Sequence, residues 1–511
     1  MNRTALLVGL FLPCPLFASG NTIEIDGGQI AGTIADGVRS FKGIPYAAPP
    51  VGQRRWQPPQ PVIPWDGIRD CSAYGKACPQ TPYPSASIYH LAPEPQSEDC
   101  LFLNVWAPKN SGKERLPVMV WIHGGAWTRG SGSVFLYDGS ALARRGVVVV
   151  TINYRLGAFG FFAHPEVSAE SDHGVSGNQG ILDQIAALQW VKRNISRFGG
   201  DAGRVTVFGE SAGSWSVHAL MATPLAEGLF HRAIGQSGSR FGDVSLLAEA
   251  HGEERSAHDE GLALARQMNV DNLADLREVP TEQILKAKFS THHTIDGHVF
   301  PASFAELFAS GSYNQVPVIV GSNADEMTSL SNPFTQPKTI ETVKATLGRN
   351  IPEEGIAGFL KVYNVTDDAS AASAFLQIGA DTAFALGMRQ WARFADSHGT
   401  ASWLYYFTHS PPGPYRDILK AYHAAEIAYV FHNSQPNDRT PYDETDTELA
   451  EQMSQYWINF ATTGNPNGPG LVEWPEYTKE AEGYLDIGSD IKPGQHLLKA
   501  RLDFLEAATW R

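Results

Sequence analysis

The sequence is short of the features that mark several large protein classes. Only four cysteines occur among 511 residues, and one of them, Cys14, lies in the extreme N-terminal segment. That number excludes a disulfide-dense scaffold. No close Cys/His quartet accompanies them, so no metal site is expected. Past residue 20 there is no run of about 20 apolar residues, and no stable membrane insertion is expected. Positive charge is scarce: 39 Lys and Arg stand against 54 Asp and Glu, a formal net charge of −15. A chain this acidic is poorly suited to a phosphate backbone, so nucleic acid is not expected as a partner. Repeats and low-complexity linkers are missing as well, and no internal domain boundary stands out. What is present, 43% hydrophobic and 18% charged residues, is enough apolar material for a large core.

The first twenty residues are different in kind. Arg3 is followed by an apolar stretch, Ala5–Leu16, and then by the small residues Ala18-Ser19-Gly20. This order is that of a cleavable export signal, with the mature chain secreted or periplasmic and residues 21–511 forming one catalytic domain. Export would place Cys71, Cys78 and Cys100 in an oxidising compartment, where one bridge can form and one thiol is left over. A bridge from Cys78 to Cys100 would contribute roughly 3 kcal/mol in the chain-entropy model. The residues alone do not choose between Cys71 and Cys78 as partner.

Along the chain, Thr22–Ile25 and Gln29–Thr33 read as an antiparallel hairpin. Residues 47–66 and 78–100 are proline-rich and irregular. Continuous apolar runs then recur at Leu101–Trp106, Val118–Ile122, Val147–Ile152, Arg204–Phe208, Val316–Val320 and Trp403–Phe407. Runs without alternation suit strands buried on both faces. Helical spacing appears at Ile181–Asn194 and again over 446–463, stopped by Gly464-Asn465-Pro466. Strands alternating with helices predict an α/β fold with a mainly parallel sheet. Residues 241–290 and 338–400 read as helical insertions over that sheet.

Chemistry enters at Gly209-Glu210-Ser211-Ala212-Gly213. A serine at a sharp strand-to-helix turn needs glycines two residues to either side, and the turn exposes its Oγ at the end of the sheet. Upstream, His123-Gly124-Gly125 follows a buried strand, the pattern of a loop whose N–H groups hold an oxyanion. The expected donors are Gly124, Gly125 and Ala212, with His123 a structural ligand of its loop. In this kind of fold the acid follows a late strand, and the base follows the acid. Asp325 and Glu326 both qualify as the acid. For the base, His409 and His423 are favoured among the later histidines, and the residues alone leave that choice open. Trp127 and Trp215 flank the serine and the loop, either as core packing or as an aromatic pocket wall.

These residues resemble the type-B carboxylesterase and cholinesterase family of α/β-hydrolases. The similarity spans about residues 22–505. It includes Phe41–Pro50, Ser97–Trp106, Asn153–Gly157, Asn178–Gln184, Gln236–Ser239 and Trp457–Asn467. It implies an α/β-hydrolase fold and a serine carboxylesterase with no cofactor; Trp127 and Trp215 beside the site point to small or medium, apolar or aromatic esters. The resemblance further implies Glu326 as the acid, His423 as the base, Ser237 and Glu426 as supporting positions, and a Cys78–Cys100 bridge with Cys71 free. Two positions depart from the family pattern: Trp127 stands where phenylalanine is usual, and Ser214 where a second glycine is usual. The chain between Cys78 and Cys100 contains no tryptophan, only Tyr83 and Tyr89 as aromatics. A choline-binding cation–π site is therefore not expected there. Other readings of the same fold are a non-catalytic cholinesterase-like binding or adhesion protein, a specialised lipase, or an amidase.

Overall fold

The computed structural model describes residues 21–507 apart from 92–93, 111, 113, 240, 243–244, 251–254, 332–335, 350 and 434–440. The expected export signal, residues 1–20, lies outside the described residues.

The apolar runs form the centre of an eleven-stranded sheet. Its spatial order is Ile491–Gln495, Gly483–Ile487, Ser402–Phe407, Val318–Asn323, Arg232–Gln236, Gly200–Glu210, Leu116–Ile122, Val148–Ile152, Phe102–Pro108, Val38–Pro45 and Thr33–Ala35. Every neighbouring pair from Gly483–Ile487 through Val148–Ile152 is parallel. The pairs at the two edges are antiparallel.

The pleat explains why these strands lack alternation. Along Leu116–Ile122, Val118, Val120 and Ile122 enter one core, while Met119 and Trp121 enter another on the opposite face. Helices Gln179–Asn194 and Ala212–Ala222 cover the first face. The second is covered by Glu444–Thr463, which contributes Tyr456, Trp457 and Phe460. That helix begins two residues before its apolar periodicity, because Asp443 and Asp446 close a capping box, and it stops at Gly464 in the left-handed region. The insertions carry cores of their own. Ala257–Met268 and Leu273–Glu278 pack around Trp56 and Phe162, and helices between residues 340 and 380 pack with Lys499–Ala507.

Trp121 is fully buried and meets Phe208, Tyr137 and Phe431 with ring centroids 4.9–5.0 Å apart. Trp121→Ala is expected to cost about 3–5 kcal/mol in a denaturant titration, because the rigid sheet cannot collapse into the space.

Several elements were not anticipated from sequence, among them the central parallel strand Arg232–Gln236, which has no apolar run. The hairpin Gly483–Ile487 with Ile491–Gln495 forms one edge, and a two-residue parallel pairing joins Ser245–Leu246 to Thr294–Ile295. These pairings are short and are decided by neighbours distant in sequence.

Candidate active site

One residue separates strand Gly200–Glu210 from helix Ala212–Ala222. That residue, Ser211, is held at φ 55°, ψ −123°. This is a conformation that costs roughly 1–3 kcal/mol and persists only where its surroundings impose it. They do so here by close approach. A Cβ on Gly209 would lie 2.5 Å from the carbonyl carbon of Gly213, and one on Gly213 would overlap the Ile122 carbonyl oxygen. The Ser211 N–H donates to the Gln236 carbonyl (2.8 Å), and the Ser211 carbonyl accepts from Trp215 N–H (2.9 Å).

The neighbouring strand Leu116–Ile122 delivers the glycine loop to the same point. A Cβ on Gly124 would sit 2.7 Å from the Glu210 carbonyl oxygen and 3.1 Å from Ser211 Cβ. Gly125 turns at φ 106°, and Ala126 and Trp127 follow at φ 54° and 55°. Among the described residues, none of the N–H groups of Gly124, Gly125 and Ala212 is engaged in a hydrogen bond. His123 is buried, stacks on Tyr154 (4.5 Å) and donates from Nδ1 to the Gly124 carbonyl (2.8 Å). Burial, opposed by that carbonyl, pushes its pKa down to about 4, so the ring is neutral and serves the loop. Trp127 lies against Trp215, His293 and Phe161 and donates to Ser216 Oγ (3.0 Å). It belongs to the packed core.

Strand Val318–Asn323 ends just before the two candidate acids, and they diverge. Glu326 is fully buried, with Oε2 2.6 Å from His423 Nδ1. Its Oε1 accepts from Ser237 Oγ (2.6 Å) and from the Asn323 N–H (2.8 Å). Asp325 turns instead to the Ala421 N–H (3.3 Å). The histidines diverge as well. His409 Nε2 lies 2.8 Å from Asp446 Oδ1, in a separate buried group with Tyr429. Ser237 thus touches Glu326 directly. Glu426 acts at one remove: it accepts from Asn323 (2.7 Å) and Gln236 (3.0 Å), and the Asn323 amide also donates to the Tyr422 carbonyl (2.8 Å).

Glu210, the residue before the serine, was overlooked in the sequence although it lies inside the motif. Its Oε1 is 3.0 Å from His423 Nε2. Among the described residues Ser211 Oγ has no hydrogen-bond partner, and His423 Nε2 faces Glu210. Burial disfavours the His423 cation, but Glu210, Glu326 and Glu426 outweigh it and hold the imidazole pKa above its ordinary value. Burial raises Glu210 above the usual carboxylate range, against the pull of His423 and with the support of Glu426 and Glu326.

Ser211, His423, Gly124 and Gly125 open into a cleft of about 970 Å³. Its walls include Tyr83, Tyr89, Phe135, Tyr137 and Tyr422, and its mouth carries the exposed side chains of Ile88 and Tyr415. Cys78 and Cys100 are bridged, and burial pushes the free Cys71 thiol up to about 12, which makes it unreactive. Among the described residues no group of three or more His, Cys, Asp or Glu could hold a metal ion, and no helix is long and apolar enough to cross a membrane.

The sequence model of the carboxylesterase family matches residues 19–505. A fumonisin B1 esterase of Sphingopyxis macrogoltabida is 38% identical, over 92% of this chain and 87% of that protein. A para-nitrobenzyl esterase of Bacillus subtilis (strain 168) is also 38% identical, over 91% and 94% respectively. A solved PNB esterase structure superposes with a TM-score of 0.80 at 34% identity, covering 95% of this chain and 99% of the other.

Proposed function

The chain belongs to the carboxylesterase family and is a serine hydrolase of the α/β-hydrolase fold that cleaves esters, and on that premise we propose that Ser211, His423 and Glu326 carry the reaction. The observation that supports this reading most is the 2.6 Å contact of Glu326 Oε2 with His423 Nδ1, beside a serine held in a strained turn at the base of an open cleft. Nδ1 is thereby the protonated nitrogen, which leaves Nε2 as the base. Nε2 takes the proton of Ser211 as Oγ bonds to the ester carbonyl carbon, the hydrogen bond between them tightening as substrate arrives. The resulting oxyanion is met by the N–H groups of Gly124, Gly125 and Ala212, each worth roughly 3–4 kcal/mol in such sites. The C–O bond to the alcohol then breaks, and the alcohol leaves with the proton from Nε2. Water, deprotonated by the same nitrogen, releases the acid from Ser211.

The tyrosine-lined cleft favours small to medium esters with apolar or aromatic groups. Export with removal of residues 1–20, leaving one catalytic domain over 21–511, belongs to the same reading and is supported by the Cys78–Cys100 bridge. The test is hydrolysis of a short-to-long acyl series of chromogenic esters. Turnover with a clear optimum in acyl length supports the reading, and no turnover of any ester by folded protein rules it out.

Glu210 gives a pH prediction. The base works only when neutral, so a raised His423 pKa places the acid limb of kcat/KM high. Removing one of the three carboxylates that raise it moves that limb down. Glu210→Gln is expected to shift the acid limb by about one pH unit toward lower pH. An unmoved limb in the pH profile would mean that Glu210 is uncharged in the free enzyme.

A further inference from the structure

Resting on the reading of His423 as the base, we infer that Tyr89, a residue of the disulfide-closed loop, is a positioning residue that holds the backbone of His423 in register with Ser211. Glu326 grips the imidazole at Nδ1, and Phe384 stacks on its face at 4.9 Å. Those contacts orient the ring only if its backbone stays in place, and the backbone here is not at rest. Ala424, the next residue, sits at φ 70°. A non-glycine residue in that region needs its flanking peptides held from outside.

Two side chains hold the peptides on either side of His423, and within the turn the Ala425 N–H donates to the Tyr422 carbonyl (3.1 Å). Asn323 donates to the Tyr422 carbonyl at 2.8 Å, on the N-terminal side of His423. The Tyr89 hydroxyl donates to the His423 carbonyl at 2.9 Å, the oxygen of the peptide that leads into Ala424. Having used its one proton there, the hydroxyl accepts from Ser329 Oγ at 2.7 Å. Ser329 lies one helical turn after Glu326, so Tyr89 ties the segments of the acid and the base together.

The same loop also grips the stretch after the oxyanion glycines. Gln80 pairs with Gly130 in both directions, Nε2 to the carbonyl at 2.8 Å and Oε1 from the N–H at 2.7 Å. Glu94 accepts from Ser131 (2.6 Å) and Ser133 (2.9 Å). The loop thus joins the two halves of the site, and Tyr89 is its contact with the base.

Tyr89→Phe tests this, since it removes the hydroxyl but keeps the ring that lines the cleft. With a short-acyl chromogenic ester, kcat is expected to fall about tenfold, the scale of one lost hydrogen bond, with KM within about twofold of wild type. The low-field proton resonance of His423 Nδ1 should broaden or shift. Ser329→Ala leaves the Tyr89–His423 bond in place and should change kcat by less than about twofold. An unchanged kcat in Tyr89→Phe overturns the proposal. So does a raised KM at unchanged kcat, which would make Tyr89 a substrate contact, or an equal fall in Ser329→Ala, which would route the effect through Glu326. His423→Ala separates the two levels: full activity there would remove the base assignment itself, whereas an inactive His423→Ala beside a fully active Tyr89→Phe would remove only the role of Tyr89.

Discussion

Ser211→Ala is expected to lower ester turnover by roughly 10⁵–10⁶-fold, the loss seen when a serine nucleophile acting as part of a unit is removed. The two serines that follow Ser211 in the helix are engaged elsewhere. Ser214 Oγ is turned away and donates to the Gly238 carbonyl (2.6 Å), and Ser216 Oγ donates to the Ala212 carbonyl (2.9 Å). The change should leave folding almost untouched. Among the described residues Ser211 Oγ has no hydrogen-bond partner to lose, and the bonds at the turn are made by the main chain, which alanine keeps. The check has two parts: turnover of a chromogenic ester, and intact-mass detection of covalent labelling by an organophosphate. Wild type should gain one adduct and the variant none. Labelling of the variant, or turnover above about a thousandth of wild type, would place the nucleophile elsewhere.

Glu326→Gln should be the next most damaging change, at roughly 10⁴-fold in kcat. The reason lies in what surrounds each oxygen. Oε1 receives two donors, Ser237 Oγ–H and the Asn323 N–H, so a glutamine will place its carbonyl oxygen there. Its NH₂ is then left facing His423 Nδ1, where a donor meets a donor. The neutral imidazole must move its proton to Nε2, the nitrogen that has to be free to act as base. Asp325→Asn carries no such penalty, because an amide oxygen can still accept from the Ala421 N–H at 3.3 Å. Its kcat should stay within about tenfold of wild type on the scale of one ordinary hydrogen bond. Steady-state kinetics of the two variants side by side decide the matter. The reverse ranking would make Asp325 the acid.

Much of this molecule is determined locally and is therefore legible in the chain. Most strands of the parallel centre are continuous apolar runs, since both faces of the sheet are covered; Arg232–Gln236, with Arg and Gln at its ends, is the central strand that carries no such run. The elbow at Ser211 is legible for a steric reason: no side chain fits at Gly209 or Gly213, so the pattern of glycines is the geometry. The glycine loop after His123 is legible for the same reason. Chain order then confined the candidate acid and base to particular loops.

Within those loops the residues themselves were silent. Asp325 and Glu326 are adjacent carboxylates of the same charge, and only the packing of Ser237, Asn323 and His423 around one of them separates the two. His409 and His423 each sit buried against a carboxylate, and only the three-dimensional arrangement puts one beside the serine and the other beside Asp446. Cys71 and Cys78 were equivalent until the loop brought one of them to Cys100. The proximity of Glu210 to Nε2, and the reach of Tyr89 across 334 residues of chain to the His423 carbonyl, have no signature in sequence at all. Local backbone constraints leave a mark on residue type and spacing. The choice of one polar partner from several like ones is made by distances between segments far apart in the chain, and these exist only once the sheet has assembled.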